Sequence, residues 1–306
     1  MTSEVNEVAV PETPVVETPV YLVYPRRFYV LFVFSFLSFN QCMMWLTFSP
    51  IERHAEAYYS INDSTIDLLL NWGPIIFIPC LPLTSLLLNT ADGLRYGVLI
   101  LAITDFIAAL IRILPSIIFQ RTSPNFDTIA LPFIHVGQIL NAACGPLVMA
   151  PVSQISSVWF APHERTRATT IAVLSNNFGS AIGFLISPYL VDEPDHVPRL
   201  LYLHFGLAFA ACVFTLISFP ARPPSPPSAA AELLSTNAIG TEREHSRRTF
   251  LRDIKTCFTN PAFVLLSTAG GLIYGMFGAW TGLYDFLFQR LGYSETFAGK
   301  RRTKNV

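Results

Sequence analysis

The chain reads as long apolar runs separated by short polar breaks. A bilayer core of ~30 Å is crossed by a helix of ~20 apolar residues. Seven runs reach that length, at 28–49, 68–88, 96–118, 129–152, 168–191, 200–219 and 262–284. The first two carry no charge; Asp105 and Arg112 interrupt the third, His135 lies in the fourth and His204 in the sixth. Barrel strands would be ~10 residues long and alternate in polarity, so the pattern predicts an all-α membrane protein.

The breaks between runs give the organisation. Residues 1–25 are acidic and Pro-spotted (Glu4, Glu7, Glu12 and Glu17 among Pro11, Pro14 and Pro19). They lack the basic start and apolar centre of a signal peptide, and read as a disordered cytosolic tail. Residues 26–219 hold six spans. The connection 220–261 opens on a Pro-rich stretch, 220–227, that reads as a stiff extended linker. It closes with Phe250, Ile254, Cys257 and Phe258 at helical spacing among bases, the pattern of an interfacial amphipathic helix. The seventh span occupies 262–288, and a basic tail covers 289–306. Inside the spans, Pro74, Pro79, Pro82, Pro146, Pro151 and Pro188 each free a backbone carbonyl, which is tolerated next to protein or a wet cavity. Small residues such as Gly145, Gly179 and Gly183 permit close helix approach.

Composition agrees. Of 306 residues, 52% are apolar and 13% charged, with a net charge of −1 and a mean hydropathy of +0.45. Soluble domains carry about 25% charge, so a cytosolic enzyme, a nucleic-acid binder and a disordered protein are all excluded. Bases cluster on one side of the predicted membrane: Arg26, Arg27, Arg95, Arg165, Arg167, Arg222 and the 243–255 group face the side of the N-terminus. That bias predicts a cytosolic N-terminus. It places the sequon Asn62-Asp63-Ser64 in the first outer loop as a glycosylation site. Cys42, Cys80, Cys144, Cys212 and Cys257 show no metal or redox spacing and read as small apolar fillers. No hydrolytic triad, phosphate loop or metal cluster is visible, and no cofactor is expected.

The chemistry therefore rests on polar groups at membrane depth, where an unpaired charge costs ~2.5–3.5 kcal/mol. Asp105 and Arg112 are seven apart, two turns along one helix face. Asp105 reads either as a proton or substrate site, or as a carboxylate paired to a neighbouring helix while Arg112 snorkels outward. Amides and aromatics recur on the other spans: Asn40, Gln41 and Trp45; Asn71 and Trp72; Gln138 and Asn141; Asn176 and Asn177; Tyr274, Trp280, Tyr284 and Asp285. Singly these suit interhelical hydrogen bonds. Together they suit a cavity for an aromatic, hydroxylated or cationic solute, with indole faces for stacking and amides for orientation.

An ordered series of segments carries a resemblance over about 24–288. It comprises Trp45 to Ile51, Asn71-Trp72-Gly73-Pro74, Gly137-Gln138-Ile139-Leu140-Asn141, Gly145-Pro146, Trp159-Phe160, Glu164-Arg165, Ala181 to Leu185 and Phe219 to Pro224. This resembles solute carrier family 49 of the major facilitator superfamily, whose members include the feline leukaemia virus subgroup C receptors. The resemblance implies the N-terminal six-helix bundle of that fold plus the first helix of the C-terminal bundle. In the related receptors a tryptophan near the end of the first helix and an amide pair in the fifth line the ligand cavity. These map to Trp45 and to Asn176 with Asn177, although the second amide there is a glutamine, with a different reach. The superfamily's loop between helices two and three runs Asp, two residues, Gly, then Arg or Lys. Here Gly93 and Arg95 fit, Thr90 stands at the Asp position and Asp92 directly precedes the glycine, which puts that gating contact in doubt. Glu164 and Arg165 fit the corresponding pattern beside the fifth span.

The resemblance implies a secondary transporter with partners in a small organic solute, protons and the lipid bilayer. Proton-coupled export of pyridoxine (vitamin B6) from lysosomes or endosomes comes first, with heme or choline transport, and the plasma membrane, as alternatives. A seven-helix receptor fits the span count but places its N-terminus outside, against the Arg bias. Superfamily transporters have twelve helices, so the end after the seventh span, with its atypical basic tail, reads as a truncation. A non-transporting isoform or regulatory partner is the remaining alternative.

Overall fold

The computed structural model describes residues 21–233, apart from positions 91, 120 and 124, together with 252 and 254–290; for 277, 278 and 281–290 it describes the backbone alone. Tyr284 and Asp285 therefore lie outside the described side chains, as do Phe250 and its neighbours in the predicted amphipathic helix, and the basic tail from 291 on.

Helix α1 (Arg26–Trp45) leads into a 3-10 turn (Ser49–Ile51) and a short helix α2 (Glu52–Tyr59). Helices α3 (Asp63–Leu88) and α4 (Gly93–Ile118) follow. The fourth crossing is divided into α5 (Phe126–Ala143), α6 (Gly145–Met149) and α7 (Pro151–Trp159). Then come α8 (Arg165–Leu190), a second 3-10 turn (Pro194–His196), α9 (Val197–Ser218) and α10 (Pro261–Arg290). Among the described residues six helices are long and apolar enough to cross a membrane, and α10 adds a shorter apolar stretch, Pro261–Met276. The all-α membrane architecture expected from the apolar runs is present.

Local chemistry sets the boundaries. Helix α3 begins before its apolar run because Asn62 caps it: its side-chain oxygen accepts from Thr65 N at 3.2 Å and from Thr65 Oγ1 at 2.8 Å. The fourth crossing breaks at Pro146 and Pro151, each of which withholds a backbone donor. Helix α3 carries Pro74, Pro79 and Pro82 without a break.

Helix α1 is the centre of the bundle, packing along α8 and also against α9, α4 and α5. Gly179 makes the α1–α8 approach possible: a Cβ there would stand 2.2 Å from the Phe39 carbonyl oxygen. Two apolar cores flank the polar middle. One, at the end where α1 begins (the proximal end), contains Phe34, Leu101 and Trp159; the other, at the distal end, contains Ile51, Tyr59 and Phe126. Large apolar side chains such as Ile78, Phe178 and Ile217 point outward, as helices in contact with lipid require.

Two expectations are corrected at the proximal end. The Pro-rich stretch after α9 is not a free spacer. It folds back on the bundle, with Pro227, Ser228 and Ala231 buried. Residues 21–25 are likewise docked: Leu22 N donates to Pro226 O at 3.3 Å and the Tyr21 hydroxyl to Glu232 at 3.4 Å. Proline rings bury apolar surface with little loss of freedom, so a stiff segment serves as a strap as readily as a spacer. Of the predicted amphipathic helix, Ile254 lines a cavity of about 660 Å³ beside α3 and α7.

Candidate functional site

The polar residues at membrane depth fall into two groups. The first is an interior knot joining α1, α4 and α5. Asp105 is fully buried, at 0% exposure. One carboxylate oxygen accepts from Asn40 Nδ2 at 2.5 Å and the other from Asn141 Nδ2 at 2.9 Å. Asn141 also donates to the Gln41 carbonyl at 3.3 Å, and Gln41 Nε2 returns a bond to the Asn141 carbonyl at 3.3 Å. Three side chains expected to line a cavity, Asn40, Gln41 and Asn141, are thus turned inward to satisfy one carboxylate and one another.

Arg112 corrects another expectation. It does not snorkel outward; it is 1% exposed. Its Nη1 donates to the Met44 carbonyl at 3.1 Å, and its guanidinium lies 5.0 Å from the centre of the Phe48 ring. The side chain turns inward because the last carbonyls of α1 end inside the bundle and need donors.

The second group stands where α1, α3 and α5 meet. The Trp45 indole donates to the Leu70 carbonyl of α3 at 3.0 Å and lies over Gly73, where a Cβ would come within 2.5 Å of the indole nitrogen. Gln138 Nε2 donates to the Trp45 carbonyl at 2.8 Å. Trp72 Nε1 donates to His135 Nδ1 at 3.0 Å, with the rings edge to face. An indole N–H is a donor only, so His135 Nδ1 is the acceptor and its proton resides on Nε2. Trp45, Trp72 and His135 are half-buried. His135 was not singled out from the sequence; its position three residues before Gln138, on the same helical face, was the available signal.

The remaining candidates are spread more widely. Asn176 Nδ2 ties α8 to α1 through the Ser38 carbonyl at 3.1 Å, and Asn177 beside it is half-buried. Asn71 is exposed. Tyr274 and Trp280 on α10 are 63% and 55% exposed.

Charges close the proximal end. Asp92 meets Arg222 of the strap at 3.4 Å, while Gly93 opens α4 and Arg95 is exposed. Glu164 meets Arg27 at 3.1 Å. Arg165 donates to the Ser157 and Phe160 carbonyls at 3.2 and 3.3 Å and to Ser228 Oγ at 2.6 Å. The Asp before the glycine therefore does make an ion pair, with the strap. Among the described residues, Glu52, Glu56 and Asp63 bring carboxylate oxygens within 4.8 Å of one another at the distal surface.

A bundle of six membrane-length helices, with a central first helix and polar residues buried at its middle, is the half-unit of a known transporter class. The family model for the Major Facilitator Superfamily matches residues 21–300. The chain belongs to this superfamily, one of transporters and not of enzymes. It is similar to the solute carrier family 49 member 4 homolog of Xenopus laevis, 33% identical over 296 residues, which covers 90% of this chain and 60% of that protein. It is also similar to solute carrier family 49 member A3 of Xenopus tropicalis, at 29% over 277 residues (90% and 55% of the two chains). The choline/ethanolamine transporter FLVCR1 of Felis catus is 29% identical over 260 residues, covering 82% of this chain and 43% of its own. The chain thus spans about 60% of the length of the first of these relatives.

Proposed function

We propose that the described residues form the first six-helix half, with the start of the second, of a secondary transporter for a small organic solute. The solute is held near the bilayer midplane and passed by alternating access. One observation carries this reading. Trp45 and Trp72 both have their indole N–H committed to protein acceptors, Leu70 O and His135 Nδ1. What they offer a solute is therefore their π-faces, which suit an aromatic ring or an onium group. Asn176 and Asn177, half-buried on a neighbouring helix, are the amide partners; Gln138, fully buried and bonded to the Trp45 carbonyl, holds Trp45 from behind.

Pyridoxine, an aromatic hydroxylated base, is the first substrate under this reading, exported from lysosomes with protons. Asp105 is then the candidate proton carrier. The second substrate reading is choline or ethanolamine, the solutes of the FLVCR1 relative, favoured also by the same tryptophan faces. The N-terminus faces the cytosol in both, and Asn62, exposed at the distal end, carries the glycan.

The test is flux of labelled pyridoxine and labelled choline in cells expressing a complete twelve-helix homologue, at matched membrane levels. Alanine at the positions matching Trp45 and Asn177 should each lower flux of the true substrate at least several-fold. Unchanged flux in both variants removes the cavity assignment, and flux of neither solute in the unaltered homologue removes both substrates.

A further inference from the structure

Helix α1 ends at Trp45, inside the bundle, with no glycine to cap it; its cap residue Leu46 has φ −90° and ψ 12°. Such an end leaves carbonyls facing away from water, at the negative pole of the helix dipole. The residues just beyond the helix and side chains of other helices satisfy them. The Met44 carbonyl accepts locally from Thr47 N at 3.4 Å and Thr47 Oγ1 at 2.6 Å, and from α4 through Arg112 Nη1 at 3.1 Å; the Trp45 carbonyl accepts from Gln138 Nε2 of α5 at 2.8 Å. Thr47 in turn contacts His204 Nδ1 of α9 at 3.2 Å.

Arg112 supplies the charge in this cap. It is the cation at the dipole's negative pole, and it also covers the Phe48 ring just beyond the helix. Its path is built into α5. At Gly137 a Cβ would lie 2.3 Å from Arg112 Cγ and 2.9 Å from both Arg112 Cδ and the Ala108 carbonyl oxygen. Only a glycine there lets the arginine stem pass. Arg112 Nε and Nη2 have no partner among the described residues, so one of its donors makes the bond to α1.

We infer that Arg112, threaded past Gly137, is a positioning residue that clamps the buried end of α1 and thereby fixes the backbone of Trp45. It acts through the Met44 carbonyl and the Phe48 ring and does not touch the solute. This rests on the reading of Trp45 as part of the cavity wall.

The test is hydrogen exchange, read by mass spectrometry, on the 306-residue chain in lipid nanodiscs. Arg112→Met keeps the stem and removes the donor. It should raise exchange of the amides at 46–49 by roughly tenfold or more, with peptides of α8 unchanged. Gly137→Ala should give the same local signature by displacing the stem. Arg112→Lys, which keeps a cation and one donor, should recover most of the protection. Unchanged exchange at 46–49 in Arg112→Met overturns the clamp. So does a rise spread evenly over the bundle that Arg112→Lys fails to reverse, since that marks a general packing role. Failure of the cavity reading appears separately, as unchanged flux in a complete homologue carrying alanine at the position of Trp45, with the exchange signature of Arg112→Met intact.

Discussion

Asn141 of α5 donates its side-chain N–H to Asp105 of α4 at 2.9 Å, and both residues are fully buried. With Asn40 on the other oxygen at 2.5 Å, the carboxylate faces two amide donors from two different helices. Asp105→Asn replaces two acceptors by one acceptor and one donor, so one amide N–H would face another. The expected loss is about 1–3 kcal/mol of stability, the cost of a buried group left unsatisfied. It would be read as a lower thermal midpoint in detergent, and an unchanged midpoint would show that the knot contributes nothing. The same substitution made in a complete homologue addresses proton coupling: flux that keeps its pH dependence removes Asp105 as the proton carrier.

Gly179 faces the backbone of Phe39, and a methyl group there would stand 2.2 Å from the carbonyl oxygen and 2.9 Å from the carbonyl carbon. A backbone atom cannot swing aside as a side-chain tip can. Gly179→Ala should push α8 away from α1 and cost about 1–3 kcal/mol, the usual range for overpacking. Gly206 has nothing within 4 Å of its Cβ position, so Gly206→Ala should leave stability unchanged or slightly raised. Equal melting of the two variants would refute the close contact between α1 and α8.

Tyr59 stacks on Phe126 with ring centres 6.4 Å apart, and its buried hydroxyl has no hydrogen-bond partner among the described residues. Burial raises its pKa, with a smaller contribution in the same direction from Tyr58 and an opposing one from Arg112. Burial likewise raises that of Tyr58. A group whose folded pKa lies above its unfolded value near 10 supports the fold fully below pH 10. That support is lost as pH rises through the folded value. Stability should therefore fall above pH 10, as the unfolded chain releases protons that the folded chain retains. Tyr59→Phe should cost nothing measurable at pH 7 and should lessen the alkaline loss. A pH–stability curve for this variant superimposing on the wild type above pH 10 would contradict the argument.

The sequence made the helices legible because an apolar run of bilayer length has few other uses. Its ends were less legible. Helix α3 starts at Asp63, among acidic residues that lowered the apolar signal, because Asn62 caps it. Helix α1 stops at Trp45, inside the run predicted to reach residue 49, because the chain turns there into a 3-10 segment. The site was legible as a set of residues but not as an arrangement. Asn40, Asn141 and Trp45 look alike as polar marks in apolar spans, and only the rotation of each helix separates the amides facing Asp105 from the indole facing Leu70. The inward turn of Arg112 was hidden for the same reason: it depends on where α1 ends and on the absence of a side chain at Gly137, both properties of other helices.

The strap at the proximal end bears on the order in which the molecule is completed. Tyr21 and Glu232 stand 211 positions apart in the chain, and Leu22 is held by Pro226. During synthesis the first of these residues emerges before any helix has entered the membrane, and its partner emerges only after α9 is made. Sealing of this end is therefore a late event, and a nascent chain halted between α9 and Glu232 would hold six inserted helices with an unfastened end.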